Sequence, residues 1–427
     1  MKTIDYSIRR DLTVTHDADV LVLGGGPGGL GAAVMAARAG AKTVLVERYG
    51  YLGGMAAAGE VHPFMRNHVD NEPLDGPIYT EWCDRMRALW PRDGADTGIS
   101  KDVAMLAAEQ MCLDAGVEVL YHHMLADAIV TDGHIDAAVL LSKSGLSAAA
   151  GAMFIDATGD GDLAVRAGCA YEQGGPTGHC QPMTTCFKVC NVDRDRMPDR
   201  AGVTELYHAA RERGEIDCLR ENVLMFNWFE DDVVHFNTTR IIHRDGTNGL
   251  DLSAAEREGH TQVRQFLAFF RAHVPGFENA QLHSMAHHVG IRETRRILGE
   301  AYLQQEAFEN HAKFPDAIAR VRYNIDIHNP DGAGTELIRL PEGEWYEIPF
   351  GCVVARDADN LLIAGRPISV DHAIHSSMRV MPPACTVGQA AGMGAAMAAR
   401  RGCRPKDLDG TAVRRALIEQ GAKLAEA

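Results

Sequence analysis

The chain has 427 residues, a formal net charge of −16, 46% hydrophobic residues and 23% charged residues. That length predicts two or three domains, and the composition is that of an ordinary globular protein. The acidic balance argues against nucleic acid as the main partner and against an anionic membrane surface, although local arginines can still receive an anionic substrate. No apolar run of about 18 residues is present, so no membrane-spanning helix is expected. Residues 1–18 are too polar for the apolar core of a signal peptide, and the ten cysteines are scattered, so reduced thiols and a cytoplasmic location are expected.

Residues 1–18 read as an extended arm leading into a βαβ unit. Val20 to Leu23 is a short apolar run suited to a strand buried on both faces. Gly24, Gly26 and Gly29 follow at G-x-G-x-x-G spacing, with Pro27 and Gly28 between them. Small and apolar residues from Leu30 to Ala39 predict a tightly packed helix closed by Gly40. Thr43 to Val46 is a second buried strand, and Glu47 and Arg48 stand at its end. The first glycine permits a tight turn, the second lets backbone approach a pyrophosphate, and the third lets helix and strand pack closely. The helix N terminus offers free N–H groups to phosphates, and Glu47 can accept ribose hydroxyls. Strand, glycines, helix, strand and acid in register predict dinucleotide binding.

Further along, Gly53, Gly54 and Met55 form a second place where backbone can approach a ligand, or a simple turn. His62 then falls either beside that ligand or in a surface loop. Residues 77–115 read as helical and 117–121 as a strand. Residues 128–157 read as a β-meander turning at Asp132-Gly133, its last strand running into Ala157, Thr158 and Gly159. From about 171 to 345 histidines, aromatics and charges rise. Residues 183–192 and 222–241 predict strands, and Ser253 to His273 a long amphipathic helix opened by a Ser253–Glu256 capping box. Residues 287–300 read as a strand running into a basic helix, and 319–332 as a strand with an exit turn. Residues 345–354 and 360–369 read as strands, the latter carrying Gly365 and Arg366. Residues 381–400 predict a small-residue helix after a Pro-Pro stop, its N terminus near Thr386 to Gln389 and aimed at a ligand, and 407–427 a C-terminal helix. The expected fold is α/β, with a Rossmann-like dinucleotide-binding domain (parallel sheet plus β-meander) over 1–170 and 346–427, and an inserted α+β substrate or cap domain over 171–345.

These motifs together resemble the FAD-dependent oxidoreductase family related to the flavoprotein subunit of heterodisulfide reductase, within the glutathione-reductase-like FAD superfamily. The residues that carry the resemblance are GGGPGG (24–29), Glu47, LGGM (52–55), DATGDGD (156–162), GIRETRRILGE (290–300), IDIHNP (325–330), YEIPF (346–350), AGRPIS (364–369) and DHAIHSSMRVMPP (371–383) leading into GQAAG (388–392). The chain departs from that pattern at Phe350-Gly351, where relatives often have Tyr-Arg, and at Pro367, where they often have Cys. The resemblance implies FAD, held non-covalently or through a side chain. It adds Gly388, Gln389 and Ala390 to the residues expected near the flavin.

Flavin carries the redox chemistry, so the protein must position a substrate and move a proton. The histidines expected near the ring are His62, His328, His372 and His375, with His372 best supported by the motif; each could instead brace the structure. Arg292 and Arg379 suit anchoring a carboxylate or polarising a carbonyl, against a structural ion pair of Arg292 with Glu293. His179, Cys180, Cys186 and Cys190 lack metal-ligand spacing, so no metal is expected. No C-x-x-C pair lies near the first unit, which disfavours dithiol chemistry, and a single G-x-G-x-x-G leaves a separate nicotinamide domain unsupported. The expectation is an FAD-dependent oxidoreductase transferring a hydride between flavin N5 and a polar small molecule, anionic or polyhydroxylated, with homo-oligomers left open. The alternatives are a flavin-dependent monooxygenase and a flavin-binding subunit of an electron-transfer or modification complex.

Overall fold

The computed structural model describes residue 4 and residues 11–91 and 100–424. Most of the expected N-terminal arm, residues 92–99 of the helical stretch and the end of the C-terminal helix lie outside the described residues. Strand β1 (Val14–Leu23) leads through a glycine turn into helix α1 (Pro27–Arg38) and strand β2 (Thr43–Val46). Helices α2 (Ile78–Leu89) and α3 (Lys101–Asp114) follow, then β3 (Glu118–Leu120) and the strands β4 (Met124–Thr131), β5 (His134–Ser142) and β6 (Gly145–Asp156). The sheet runs β3-β2-β1-β6-β5-β4, and Leu361–Ile363 joins it beside β6. Pairings among β3, β2, β1, β6 and Leu361–Ile363 are parallel, whereas β4, β5 and β6 form the expected antiparallel meander. All four residues of β2 are buried, as their continuous apolar run requires.

Register sets the site. Leu23 lies opposite both Val46 and Asp156, and Asp156 lies opposite Ile363. Four strands from distant parts of the chain therefore end level, and the segments that follow them meet at the carboxyl edge of the sheet, where open α/β sheets bind ligands.

A second core gathers apolar residues between 187 and 280. Strands β7 (Phe187–Cys190), β8 (Met225–Asn227), β9 (Val234–Phe236) and β10 (Gln281–Met285) form an antiparallel sheet in the order β8-β9-β7-β10. Helices α4 (Arg200–Glu212) and α5 (Gly249–His273) accompany it, and Phe187 and Phe236 pack on Phe270 of α5. Glu60, fully buried, links this core to the first. Its carboxylate accepts from Lys101 Nζ on α3 at 2.7 Å and from Lys188 Nζ on β7 at 2.6 Å. Burial pushes the Glu60 pKa up, but the two ammonium groups outweigh it and hold the carboxyl below its ordinary value.

Helix α6 (Met381–Arg401) packs along α1 through glycines. A Cβ at Gly388 would come within 2.0 Å of Gly28 O, one at Gly392 within 2.2 Å of Ala32 O, and one at Gly31 within 2.2 Å of Cys385 O. Among the described residues no helix is long and apolar enough to cross a membrane.

Four local expectations are corrected. Helix α5 starts at Gly249, because Asn248 caps it by accepting from Leu250 N at 2.9 Å and Asp251 N at 3.3 Å. Ser253 and Glu256 thus lie inside the helix, and Glu256 accepts instead from Val289 N at 2.7 Å. The 287–300 segment forms no helix: Arg295–Ile297 is a strand paired with Tyr171–Gln173. Tertiary contacts override propensity there, since buried Arg296 donates to Val370 O, Gly174 O and Glu293. Pro382 and Pro383 do not precede α6 but open it, in the first turn, where a missing N–H is tolerated. Its N terminus is therefore at Met381, about one turn before the expected Thr386 to Gln389. The strand expected at 345–354 is also shorter, Tyr346–Pro349, followed by a 3-10 turn at Phe350–Val353.

Candidate functional site

A cleft of about 470 Å³ opens at the level strand ends. Gly24, Gly26, Pro27 and Gly28 line it after β1, Glu47 and Arg48 after β2, Ala157, Thr158 and Gly159 after β6, and Gly365 and Arg366 after Leu361–Ile363. Gly54 and Met55 complete the expected wall. Gly29 and Gly53 stand behind it. A Cβ on Gly29 would lie 1.8 Å from Gly24 O, so this glycine allows the helix to close on the turn. Gly53 donates its N–H to Gly25 O at 2.8 Å.

Three features of the cleft fit a dinucleotide. A Cβ on Gly26 would meet no protein atom nearer than Gly54 Cα at 3.7 Å, so the glycine keeps open space at the N terminus of α1. The Glu47 carboxylate accepts from Gly25 N at 2.7 Å and Tyr49 N at 2.9 Å, one bond per oxygen. Each oxygen retains a lone pair for a ribose hydroxyl, and burial raises the carboxyl's pKa. Arg366 donates through Nη2 to Asp160 Oδ1 at 3.0 Å, while its buried Nη1 has no partner. That donor and the dipole of α1 both favour an anionic group in the cleft.

Sequence reasoning missed part of the wall. Gly25, Tyr49, Asp160 and His288 line the cleft, as do residues 123–126. Nothing local marks 123–126; they arrive because β3 extends the sheet beyond β2. Met381 and Ala384, at the true start of α6, also line it. Gly388, Gln389 and Ala390 do not. Gly388 is pressed on Gly28, Gln389 donates to Gly76 O at 2.9 Å, and Ala390 is buried within the packed helix. The cause is the one-turn shift of the helix start.

Of the six candidate catalytic side chains, Arg379 lines the cleft. His372 instead hydrogen-bonds Glu293 Oε1 through Nδ1 at 2.7 Å, in a group where Glu293 also pairs with Arg296 at 2.7 Å, and Gly175 covers its other nitrogen. His375 is fully buried with both ring nitrogens unpartnered, and burial drives its pKa well down. His62 sits in an aromatic box with Phe64, Trp228 and His235, and burial likewise keeps it neutral. Burial drives His235 down to about 3.

Arg292 and His328 lie in a second polar region. Arg292 donates to Pro182 O at 2.7 Å, to Thr184 Oγ1, and to Asn237 Oδ1 at 3.4 Å. The ion pair with Glu293 expected for it does not form; Arg296 takes that carboxylate. Burial, with Arg220 and Arg379 nearby, lowers the Arg292 pKa to about 9. His328 contacts Thr335 Oγ1 at 3.1 Å through Nδ1, and its Nε2 lies 3.8 Å from Asp326 Oδ2. Burial, then the charges of Arg292 and Arg379, hold it well below its ordinary value.

All ten cysteines are free, and burial pushes the Cys180 and Cys186 thiols up to about 12. His179 pairs instead with Asp331 at 2.5 Å, on an exposed surface that also holds His243.

Residues 19–417 match the family described as FAD dependent oxidoreductase. A shorter stretch resembles the mitochondrial dihydrolipoyl dehydrogenase of Caenorhabditis elegans, 53% identical over 47 residues, 11% of this chain and 10% of that one. Another resembles the thiamine thiazole synthase of Aeropyrum pernix, 32% identical over 126 residues, 29% of this chain and 43% of that one. The chain thus spans about a tenth and under half of these curated relatives. Among solved structures, the geranylgeranyl bacteriochlorophyll reductase-like protein of Thermoplasma acidophilum aligns over 96% of this chain and 84% of its own, at 14% identity and a TM-score of 0.46. With the family match covering both ends of the cleft-forming sequence, the chain belongs to the FAD dependent oxidoreductase family, and FAD is its cofactor.

Proposed function

We propose that the chain transfers a hydride between a polar small-molecule substrate and the N5 position of FAD lying in the cleft. FAD supplies the two-electron chemistry. The observation that carries the reading is the position of Arg379, which lines the cleft and also reaches the polar region around Arg292 and His328. It donates to Asp326 O at 3.2 Å, and Asp326 Oδ2 is 3.8 Å from His328 Nε2. In this reading Arg379 orients the substrate against the cofactor. His328, kept neutral, accepts the proton that the substrate gives up with its hydride, through Nε2, while Thr335 holds Nδ1. Met381 and Ala384 set the N-terminal dipole of α6 toward the cleft, where it favours negative charge.

We also infer kinship with the flavoprotein subunit of heterodisulfide reductase. The order of motifs from GGGPGG (24–29) through AGRPIS (364–369) to GQAAG (388–392) supports it.

The test is an absorbance spectrum of the purified protein before and after acid precipitation, then anaerobic exposure to hydroxy acids, amines and sugars. Flavin that leaves with the supernatant, and bleaches with one class of reductant in the native enzyme, is expected. A protein that carries no flavin and cannot be reconstituted with FAD would contradict the reading, as would a flavin bleached equally by His328→Ala and wild type with every reductant.

A further inference from the structure

The polar region beside the cleft is short of negative charge. Four guanidinium groups, on Arg220, Arg240, Arg292 and Arg379, gather around His328. The carboxylates that answer them are Glu221 and Asp326. Glu221 receives Arg240 Nη1 at 3.0 Å and lies 3.8 Å from Arg220 Nε; Asp326 lies 3.7 Å from Arg379 Nη2. One continuous set of contacts joins them: Arg379 to Asp326, Asp326 to His328, His328 to Thr335, and Thr335 to Glu221. Gln181 closes the group by accepting from His328 N at 3.2 Å.

Donors are left over. Gln181 Nε2, Arg220 Nε, Arg240 Nε and Arg379 Nε are buried and make no hydrogen bond, and Asn222 Oδ1 accepts none. Gln181 is 2% exposed, Arg220 4% and Arg240 2%. An unmade hydrogen bond on a buried donor carries a full desolvation cost, and a buried unpaired cation costs more. Arg292 is itself partly solvent-accessible, so it does not lie in fully packed core. A purely structural arginine cluster would be expected to have matching carboxylates. This one has buried donors that make no hydrogen bond, in a region that Arg379 shares with the cofactor cleft.

We propose that this arginine cluster is the substrate subsite and that it takes a small carboxylate-bearing anion, held by Arg292 and Arg379, with Arg220 as a further positioning residue. The assignment rests on the hydride-transfer reading given above and narrows its substrate class. A carboxylate is planar and accepts two parallel N–H bonds, which is the geometry a guanidinium offers. Its charge also answers the excess of cations around His328 and so makes that imidazole a better proton acceptor when substrate is present than when it is absent. The enzyme would therefore couple substrate occupancy to the basicity of its own base.

The experiment uses the FAD-loaded protein. Sodium succinate and sodium acetate are titrated against sodium chloride at equal ionic strength and against neutral succinamide, with flavin absorbance and melting temperature as readouts. Saturable perturbation of the flavin band and a rise in melting temperature are expected with a carboxylate and absent with succinamide and chloride. Arg292→Gln and Arg220→Gln should each weaken the response at least tenfold while flavin content stays unchanged. Arg220→Gln decides the matter if Arg292→Gln does not fold. A flavin-containing protein that responds to neither carboxylate beyond the chloride control overturns the subsite and leaves the flavoenzyme reading standing. A colourless protein defeats the hydride-transfer reading, and its melting temperature against succinate and succinamide still judges the anion site.

Discussion

Replacing Glu60 by Gln is expected to destabilise the protein by about 3–5 kcal/mol, the range for breaking a buried ion pair by removing one partner. Glu60 is fully buried and Lys188 nearly so, whereas Lys101 keeps 17% of its side chain exposed, so Lys188 above all cannot recover water in the folded state. The substitution keeps the shape and removes the charge. Unfolding entropy of about 2.1 cal/mol/K per residue gives about 0.9 kcal/mol per degree for a chain of this size. The melting temperature should then fall by about 3–6 °C if the chain melts as one unit. The pH dependence supplies an internal check. The folded Glu60 pKa lies below its ordinary value of 4.5, so its contribution is present above the unfolded pKa and is lost as pH falls through the folded one. The gap between wild type and variant should therefore be constant from neutral pH down to about pH 5 and should narrow below that. Thermal melts of both proteins across that range measure it. A variant that melts within about 1 °C of wild type at neutral pH would refute the claim that this pair holds the two cores together.

Gly26→Ala should leave the melting temperature of the FAD-free protein unchanged, because φ is −71° there and the added methyl meets only Gly54 Cα at 3.7 Å. Its FAD affinity, measured by flavin fluorescence quenching, should fall about tenfold or more, a loss of about 1.4 kcal/mol. Gly392→Ala should do the reverse, lowering stability by about 1–3 kcal/mol through overpacking against Ala32 O while leaving the cleft wall in place. Urea denaturation of the apo protein reads that loss. His235 is buried with a pKa near 3, below its unfolded value of 6.5, so unfolding takes up a proton and stability falls as pH drops below 6.5. His235→Phe should flatten that slope by about 2 kcal/mol between pH 6.5 and 5, measured by denaturation at each pH.

Residues 20–48 were legible because every requirement there is local, although the first strand starts earlier than expected, at Val14. A strand, a turn, a helix start and an acid occur within one βαβ unit, and all the glycines from Gly24 to Gly29 serve it. The Ala157-Thr158-Gly159 and Gly365-Arg366 segments were legible for a related reason, since each ends an apolar strand. What the sequence hid depends on pairing across the chain. The start of α6 was misplaced because a Pro-Pro pair reads equally as a stop or as a first turn, and only the packing against α1 decides. His372 looked catalytic because its motif sits next to the cofactor helix, yet Glu293, distant in sequence, takes its proton-bearing face. The arginine cluster was visible only in part: Arg292 and Arg379 stood out as candidate substrate anchors, but Arg220 and Gln181 carry no local signal and meet them only through the fold.

The level ends of the strands have a consequence for how the protein is made. The cleft is closed by Leu361–Ile363 lying against β6 and by α6 lying against α1, so residues near 24 and residues near 384 form one wall. A chain emerging from the ribosome has its phosphate-binding turn long before it has the strand and helix that complete the cleft. FAD can be gripped only when synthesis has passed residue 384 or so, and the cofactor then acts as a clasp joining the earliest and latest elements. Flavin retention thus reports that synthesis has reached α6, and a chain interrupted before it would lack one wall of the cleft.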